Sequence, residues 1–167
     1  MPHKTISMGG KKKRKHKDGY LWYHKGLRFE CTQCGDCCTG RPGNVQFTSE
    51  EGAAMAAELG MEEDDFYEQF ASPAHPAGTW QMGEVSTEYG FDCLMLGRCE
   101  ETGKTFCRAH SSRPTQCRTW PFWPENLTSE RAWKVAASEC EGIGRGSFIS
   151  LRVIQEQAAE TPPWGER

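Results

Sequence analysis

The stretch Cys31-Thr32-Gln33-Cys34-Gly35-Asp36-Cys37-Cys38 decides how this chain is read. It packs four thiols into eight residues, and five more follow at Cys93, Cys99, Cys107, Cys117 and Cys140. No common packing need bunches so scarce a residue. Two-residue gaps on a loop let successive sulfurs converge on one centre, and Gly35 permits the positive φ such turns need. Three loop sulfurs with one remote sulfur is an arrangement that holds a 4Fe–4S cluster. Zinc accepts four thiolates at the same spacing, so zinc and iron–sulfur both stay open, and the triple-cysteine loop favours iron–sulfur. Consecutive side chains usually point apart, so Cys37 and Cys38 are expected to serve different centres. Cys93, Cys107, Cys117 and Cys140 would supply the remaining sulfurs. Eight sulfurs suit two four-coordinate sites, or one cluster with a neighbouring zinc.

The composition agrees with a metal staple. With 37% hydrophobic residues and a mean hydropathy of −0.72, the core of a 167-residue chain is lean, and metal–thiolate bonds reinforce such a core. Eighteen glycines and nine prolines point to many loops and turns. No run approaches the roughly 18 apolar residues of a membrane span. The positive N-terminal stretch leads into no apolar segment, so a secretory signal is not expected. A cytoplasmic location follows as the expectation, and in a reducing compartment clustered cysteines read as metal ligands rather than disulfides. The odd count of nine agrees, as does the strain of a disulfide between neighbours.

Charge is uneven. Residues 1–17 carry seven Lys/Arg and no acid, which leaves 13 basic against 23 acidic residues beyond them, a net of −10. Residues 1–19 are expected to be a basic disordered tail, 20–160 the cysteine-cluster domain and 161–167 a C-terminal tail. The basic run also suits contact with nucleic acid, but no aromatic or glycine pattern accompanies it and the body is acidic.

The expected fold class is α+β: a small, irregular, metal-stapled domain with a few helices and short strands. Residues 27–30 read as an extended lead into the cysteine loop, and 45–47 as a short strand. Thr48-Ser49-Glu50-Glu51 is a capping box that opens a helix to Leu59, stopped by Gly60. A second helix is predicted over 62–71, with Phe66 and Phe70 facing the core. Residues 72–78 read as a breaker, and 79–91 as a hairpin. Residues 92–124 read as mostly irregular, 131–136 as a strand with Trp133 and Val135 on one face, and 148–159 as a helix.

The segment Cys107-Arg-Ala-His110-Ser-Ser-Arg113-Pro114-Thr-Gln-Cys117-Arg118 brings arginines to the cysteines. Arg113 and Arg118 suit hydrogen bonding to thiolates from behind the ligands, and pairing with surface acids equally. Binding a substrate carboxylate or phosphate is a lesser reading. His110 has a ligand's chemistry, but sulfurs are already plentiful, and His24 and His75 lack cysteine neighbours. Trp120, Phe122 and Trp123 are expected to shield the site from water.

Three stretches make the chain resemble the CxxCxxCC family of zinc- or iron-chelating domains. They are Phe29-Glu30-Cys31-x-x-Cys34-Gly35-x-Cys37-Cys38 with the helix start at Thr48, then Cys93 through Cys107 with Arg113-Pro114-x-x-Cys117-Arg118-x-x-Pro121-Phe122, and Cys140-Glu-Gly142 to Gly146. The resemblance implies a small bacterial-type cytoplasmic metal protein. It places Cys31, Cys34, Cys37, Cys38, Cys93, Cys107, Cys117 and Cys140 on the family pattern and leaves Cys99 as an extra. Where the family often has Ile-Tyr, this chain has Arg108-Ala109-His110. Flagellin lysine N-methylases look similar over the cysteine segments, but this chain shows no sign of their additional sequence. The leading function is a metal-binding module with an iron–sulfur or zinc centre. A cluster-dependent enzyme, either redox or lysine-methylating, and a metal-stapled adaptor with a nucleic-acid-contacting tail are the alternatives.

Overall fold

A computed structural model describes residues 20–162 of the chain. Residues 1–19 and 163–167, on which the basic-tail expectation and most of the C-terminal-tail expectation fall, lie outside this range. The strands are β1 (Leu27–Phe29), β2 (Gln46–Thr48), β3 (Ala71–Pro73), β4 (Thr79–Met82), β5 (Glu84–Thr87), β6 (Gly90–Cys93), β7 (Leu96–Arg98), β8 (Thr105–Cys107) and β9 (Ile143–Ile149). The helices are α1 (Ser49–Leu59), α2 (Glu63–Phe70), α3 (Thr115–Arg118), α4 (Glu130–Ser138) and α5 (Leu151–Glu160). The strands form four small antiparallel sheets: β1–β9, β2–β4–β3, β5–β6 and β7–β8. The α+β expectation holds.

Helix α1 starts where the capping box places it. The Glu51 amide donates to the Thr48 hydroxyl at 3.3 Å, and the Thr48 amide donates to the Glu51 carboxylate at 2.9 Å. Helix α2 gathers Glu63, Asp64 and Asp65 in its first turn, where the helix dipole favours negative charge. It buries Phe66 fully and packs Phe70 on the same core.

Four expectations need correction. Residues 131–136 are not a strand but lie within α4. The Ser129 hydroxyl accepts from the Ala132 amide at 3.1 Å, a helix N-cap. Trp133 and Ala136, three apart, are buried while Val135 is 56% exposed, so the helical period wins over alternation. Phe148 and Ile149 end β9 instead of opening the last helix, which Ser150 caps. The hairpin is β5–β6, with Thr87 opposite Gly90, whereas β4 is the middle strand of the β2–β4–β3 sheet. Residues 71–73, partly inside the expected breaker, pair with β4 as an edge strand, where Pro73 is tolerated.

Apolar side chains divide into two cores. Phe47, Met55, Ala56, Phe66, Met82, Met95 and Ala109 form the first, built from the middle of the chain. Tyr23, Phe122, Leu127, Trp133, Ile154 and Ala158 form the second, built from the two ends of the described chain. In the second, Phe122 stacks on Trp133 at 5.6 Å and meets Phe29 edge-on at 5.7 Å. What lies between the two cores is the cysteine cavity.

Candidate metal centre

Strand β1 delivers Cys31, and the loop beyond it delivers Cys34. A short 3-10 turn, Asp36–Cys38, carries Cys37 and Cys38. Gly35 precedes that turn at φ 81°, and a Cβ there would stand 2.5 Å from Thr105 Oγ1. Only glycine lets the loop lie this close to the β7–β8 hairpin, and the Thr105 hydroxyl then donates to the Cys34 carbonyl. Cys93 ends β6, and its sulfur accepts from the Met95 amide at 3.4 Å. Cys107 ends β8, and Cys117 lies in α3. Cys140 lies in the turn between α4 and β9. The pairing of β1 with β9, and the Glu30 amide on the Gly142 carbonyl at 3.2 Å, bring that turn against the Cys31 loop.

These paths meet at one cavity of about 80 Å³, lined by Cys31, Cys34, Cys37, Cys38, Cys93, Cys107, Cys117 and Cys140. Cys99 is not among its walls and sits at the turn of the β7–β8 hairpin, where hydrogen bonds from Thr102 and Glu101 pull its thiol pKa down. Met55, Met82, Met95 and Ala109 of the first core line the cavity, as does Phe29, which packs on the second. All nine cysteines are free thiols. Among the described residues no three Cys, His, Asp or Glu side chains stand close enough to close on one ion as they are.

Cys37 and Cys38 do not diverge: their sulfurs are 3.7 Å apart. A 3-10 turn has three residues per turn, so neighbouring side chains splay by about 120° rather than opposing each other. Two thiolates on one tetrahedral ion with bonds near 2.3 Å stand roughly 3.8 Å apart. The pair is therefore already spaced to share a metal, and the reason for assigning its two members to different centres falls away.

The cavity's thiols by themselves resist negative charge. Hydrogen bonding from Cys37, then burial, pushes the Cys38 thiol up. Burial raises Cys93 to about 12 and Cys117 well above the ordinary thiol value. Burial also raises Cys34 and Cys107. For Cys38, Cys93, Cys107 and Cys117, neighbouring sulfurs oppose ionisation further. Several thiolates can coexist here only around a cation that neutralises them.

Arg113 lines the cavity with Nη1 4.0 Å from Cys31 Sγ, and its charge favours the Cys107 and Cys117 thiolates. Its Nε is buried without a hydrogen-bond partner. Arg118 instead donates to the Arg113 carbonyl and the Thr115 hydroxyl, both at 2.8 Å, and so fastens the loop that presents Arg113. His110 lines the cavity, whereas His24 and His75 are exposed. Burial, then Arg113, pulls the His110 pKa down and keeps the ring neutral. Of the three aromatics expected as cover, only Trp120 lines the cavity. Phe122 belongs to the second core, and Trp123 donates to the Gln116 carbonyl at 2.8 Å.

The same cysteine pattern matches the profile of the CxxCxxCC family, described as a putative zinc- or iron-chelating domain, over residues 30–141. That is two thirds of the chain. The chain belongs to the CxxCxxCC family. No solved structure matches it. The family supports metal binding by zinc or iron, and no described helix is long and apolar enough to cross a membrane.

Three residues that hold this CxxCxxCC site together escaped sequence reasoning. Glu51, legible only as a cap of α1, also accepts from the Thr115 amide and hydroxyl, both at 2.6 Å, and so ties α3 with its Cys117 to α1. Gln116 is buried, accepting from the Gln46 amide at 2.8 Å and donating to the Asn44 carbonyl at 3.0 Å. Glu58 accepts from the Ser111 and Ser112 amides at 3.2 and 2.8 Å and holds the segment between His110 and Arg113. The capping box was the one local signal that pointed to any of them.

Proposed function

We propose that the chain is an iron–sulfur protein whose eight cavity cysteines hold a polynuclear centre. One observation carries this reading: Cys31, Cys34, Cys37, Cys38, Cys93, Cys107, Cys117 and Cys140 ring a single cavity. A zinc ion takes four ligands, so eight donors around one space call for more than one metal. The volume argues in the same direction. About 80 Å³ is several times what one water needs, while a lone four-coordinate ion needs less. The Arg113 Nε–H supplies a further reason. A buried donor without an acceptor is costly, and inorganic sulfide or a metal-bound thiolate is an acceptor.

Within this reading Cys37 and Cys38 share one metal, as their 3.7 Å spacing suits. A 4Fe–4S cluster with a neighbouring four-coordinate ion, zinc included, accounts for eight sulfurs. When bound, such a cluster supplies one-electron chemistry and joins the two cores. The protein's own residues do the rest. Arg113 offsets thiolate charge, Arg118 and Glu58 hold the loop that carries it, and Met55, Met82, Met95 and Trp120 keep water from the cavity. The role is electron transfer or storage in a reducing, cytoplasmic setting, with no membrane partner.

The test is anaerobic reconstitution with iron and sulfide, followed by visible absorption. A brown protein that bleaches with dithionite supports the reading. A protein that stays colourless and binds zinc alone overturns it.

A further inference from the structure

The cavity has a ninth donor that the cysteine pattern does not include. His110 lines it among the eight thiols, and its Nε2 is buried with no hydrogen-bond partner. Burying an imidazole nitrogen without a partner is unfavourable unless something in the cavity satisfies it. The segment that presents the ring is fixed on both sides. Ala109 is 1% exposed within the first core, and the Arg108 amide donates to the Met95 carbonyl at 2.9 Å. On the other side Glu58 holds Ser111 and Ser112 by their amides. The ring is therefore placed by the fold, as a site that must hold metal ligands in position requires.

A nearby acid does not account for the nitrogen. Glu58 is spent on the serines, Glu139 in the cavity wall makes no hydrogen bond to the buried nitrogen, and Arg113, also in the wall, offers only donors. Cysteine sulfurs are weak partners, whereas a metal ion is a strong one for a neutral imidazole nitrogen.

We propose that His110 is a metal ligand of this centre, binding through Nε2 in place of one of the eight thiolates and making the donor set mixed sulfur and nitrogen. With its proton on Nδ1, the ring would offer the Nε2 lone pair to a metal in the cavity. The inference rests on the reading of the cavity as a metal centre but not on which metal fills it. Imidazole is a harder and less negative ligand than thiolate, and replacing thiolate by imidazole on an iron raises a cluster's potential.

The experiment uses the full chain, purified anaerobically, as wild type and as His110→Ala and His110→Gln. Iron, zinc and sulfide analysis comes first and decides the identity of the metal separately. If the protein holds iron, Mössbauer spectra of iron-57 protein are compared. A distinct iron site in the wild type that is lost in both variants supports the proposal, and equivalent sites unchanged by substitution overturn it. If the protein holds zinc, X-ray absorption at the zinc edge is read instead. A nitrogen shell at about 2.0 Å, replaced in the variants, supports the proposal. An all-sulfur shell in the wild type overturns it. Circular dichroism of the variants checks that they fold, and His24→Ala, exposed and not part of the cavity wall, is the histidine control.

Discussion

Substituting Gly142 by alanine tests whether the approach of two loops, rather than the sulfurs alone, builds the site. A Cβ at Gly142 would stand 2.1 Å from the Glu30 carbonyl oxygen, where ordinary contact begins at 3.4 Å. The obstacle is backbone, so no side chain can swing aside, and the strands must separate by about 1.3 Å. That movement also breaks the Glu30–Gly142 hydrogen bond, already 3.2 Å long. Forcing an extra methyl into packed structure costs about 1–3 kcal/mol, and a lost hydrogen bond costs about 1 kcal/mol. The loss of about 2–4 kcal/mol corresponds to a fall of roughly 4–16 °C in Tm for a protein of this size. The effect on the metal should be sharper. Ligand distances tolerate about 0.2 Å, far less than the separation imposed between the Cys31 loop and the Cys140 turn. Gly144→Ala is the control: its Cβ meets nothing within 4 Å, though its φ of +83° costs about 1–2 kcal/mol. Thermal melts and metal analysis of both variants read the outcome. G142A should lose stability and metal, and G144A should lose some stability and keep its metal. If G142A melts with the wild type and retains full metal, the Cys140 turn is not part of the centre.

Other expectations follow from the same structure. Cys34→Ser should lose metal and stability, whereas Cys99→Ser should lose neither, as metal-to-protein ratios will show. Glu51→Ala removes the α1 cap and the acceptor of Thr115, and should cost about 2–4 kcal/mol in urea melts while loosening Cys117. The metal-free protein should weaken in alkali. Its buried thiols have folded pKa values above the free value, so their contribution is complete below pH 9 and is lost as pH rises through about 12 at Cys93. The metal-bound form, already deprotonated, should not weaken this way, and paired melts across that range check the difference.

Much of the cavity's cysteine lining and of the fold around it was legible where the signal is local in sequence. The cysteine loop, the Thr48–Glu51 box and the burial of Phe66 each follow from spacing within a few residues. Misreadings arose where spacing was ambiguous or the partner distant. Trp133 and Val135 are spaced like one face of a strand, yet the Ser129 cap and the Trp133–Ala136 interval make residues 131–136 helix. Cys37 and Cys38 look divergent until the chain is known to turn as a 3-10 helix there. Glu51 on Thr115, Gln116 on Asn44 and Gln46, and Glu58 on Ser112 join residues more than fifty apart, and no short pattern encodes such pairs.

The most direct measurement is the content of iron, zinc and acid-labile sulfide per chain in protein purified without oxygen. Iron and sulfide are expected in near-equal amounts, with more than one metal per chain and loss of both in Cys34→Ser. A single zinc per chain with no sulfide, or no metal at all, would contradict the iron–sulfur reading.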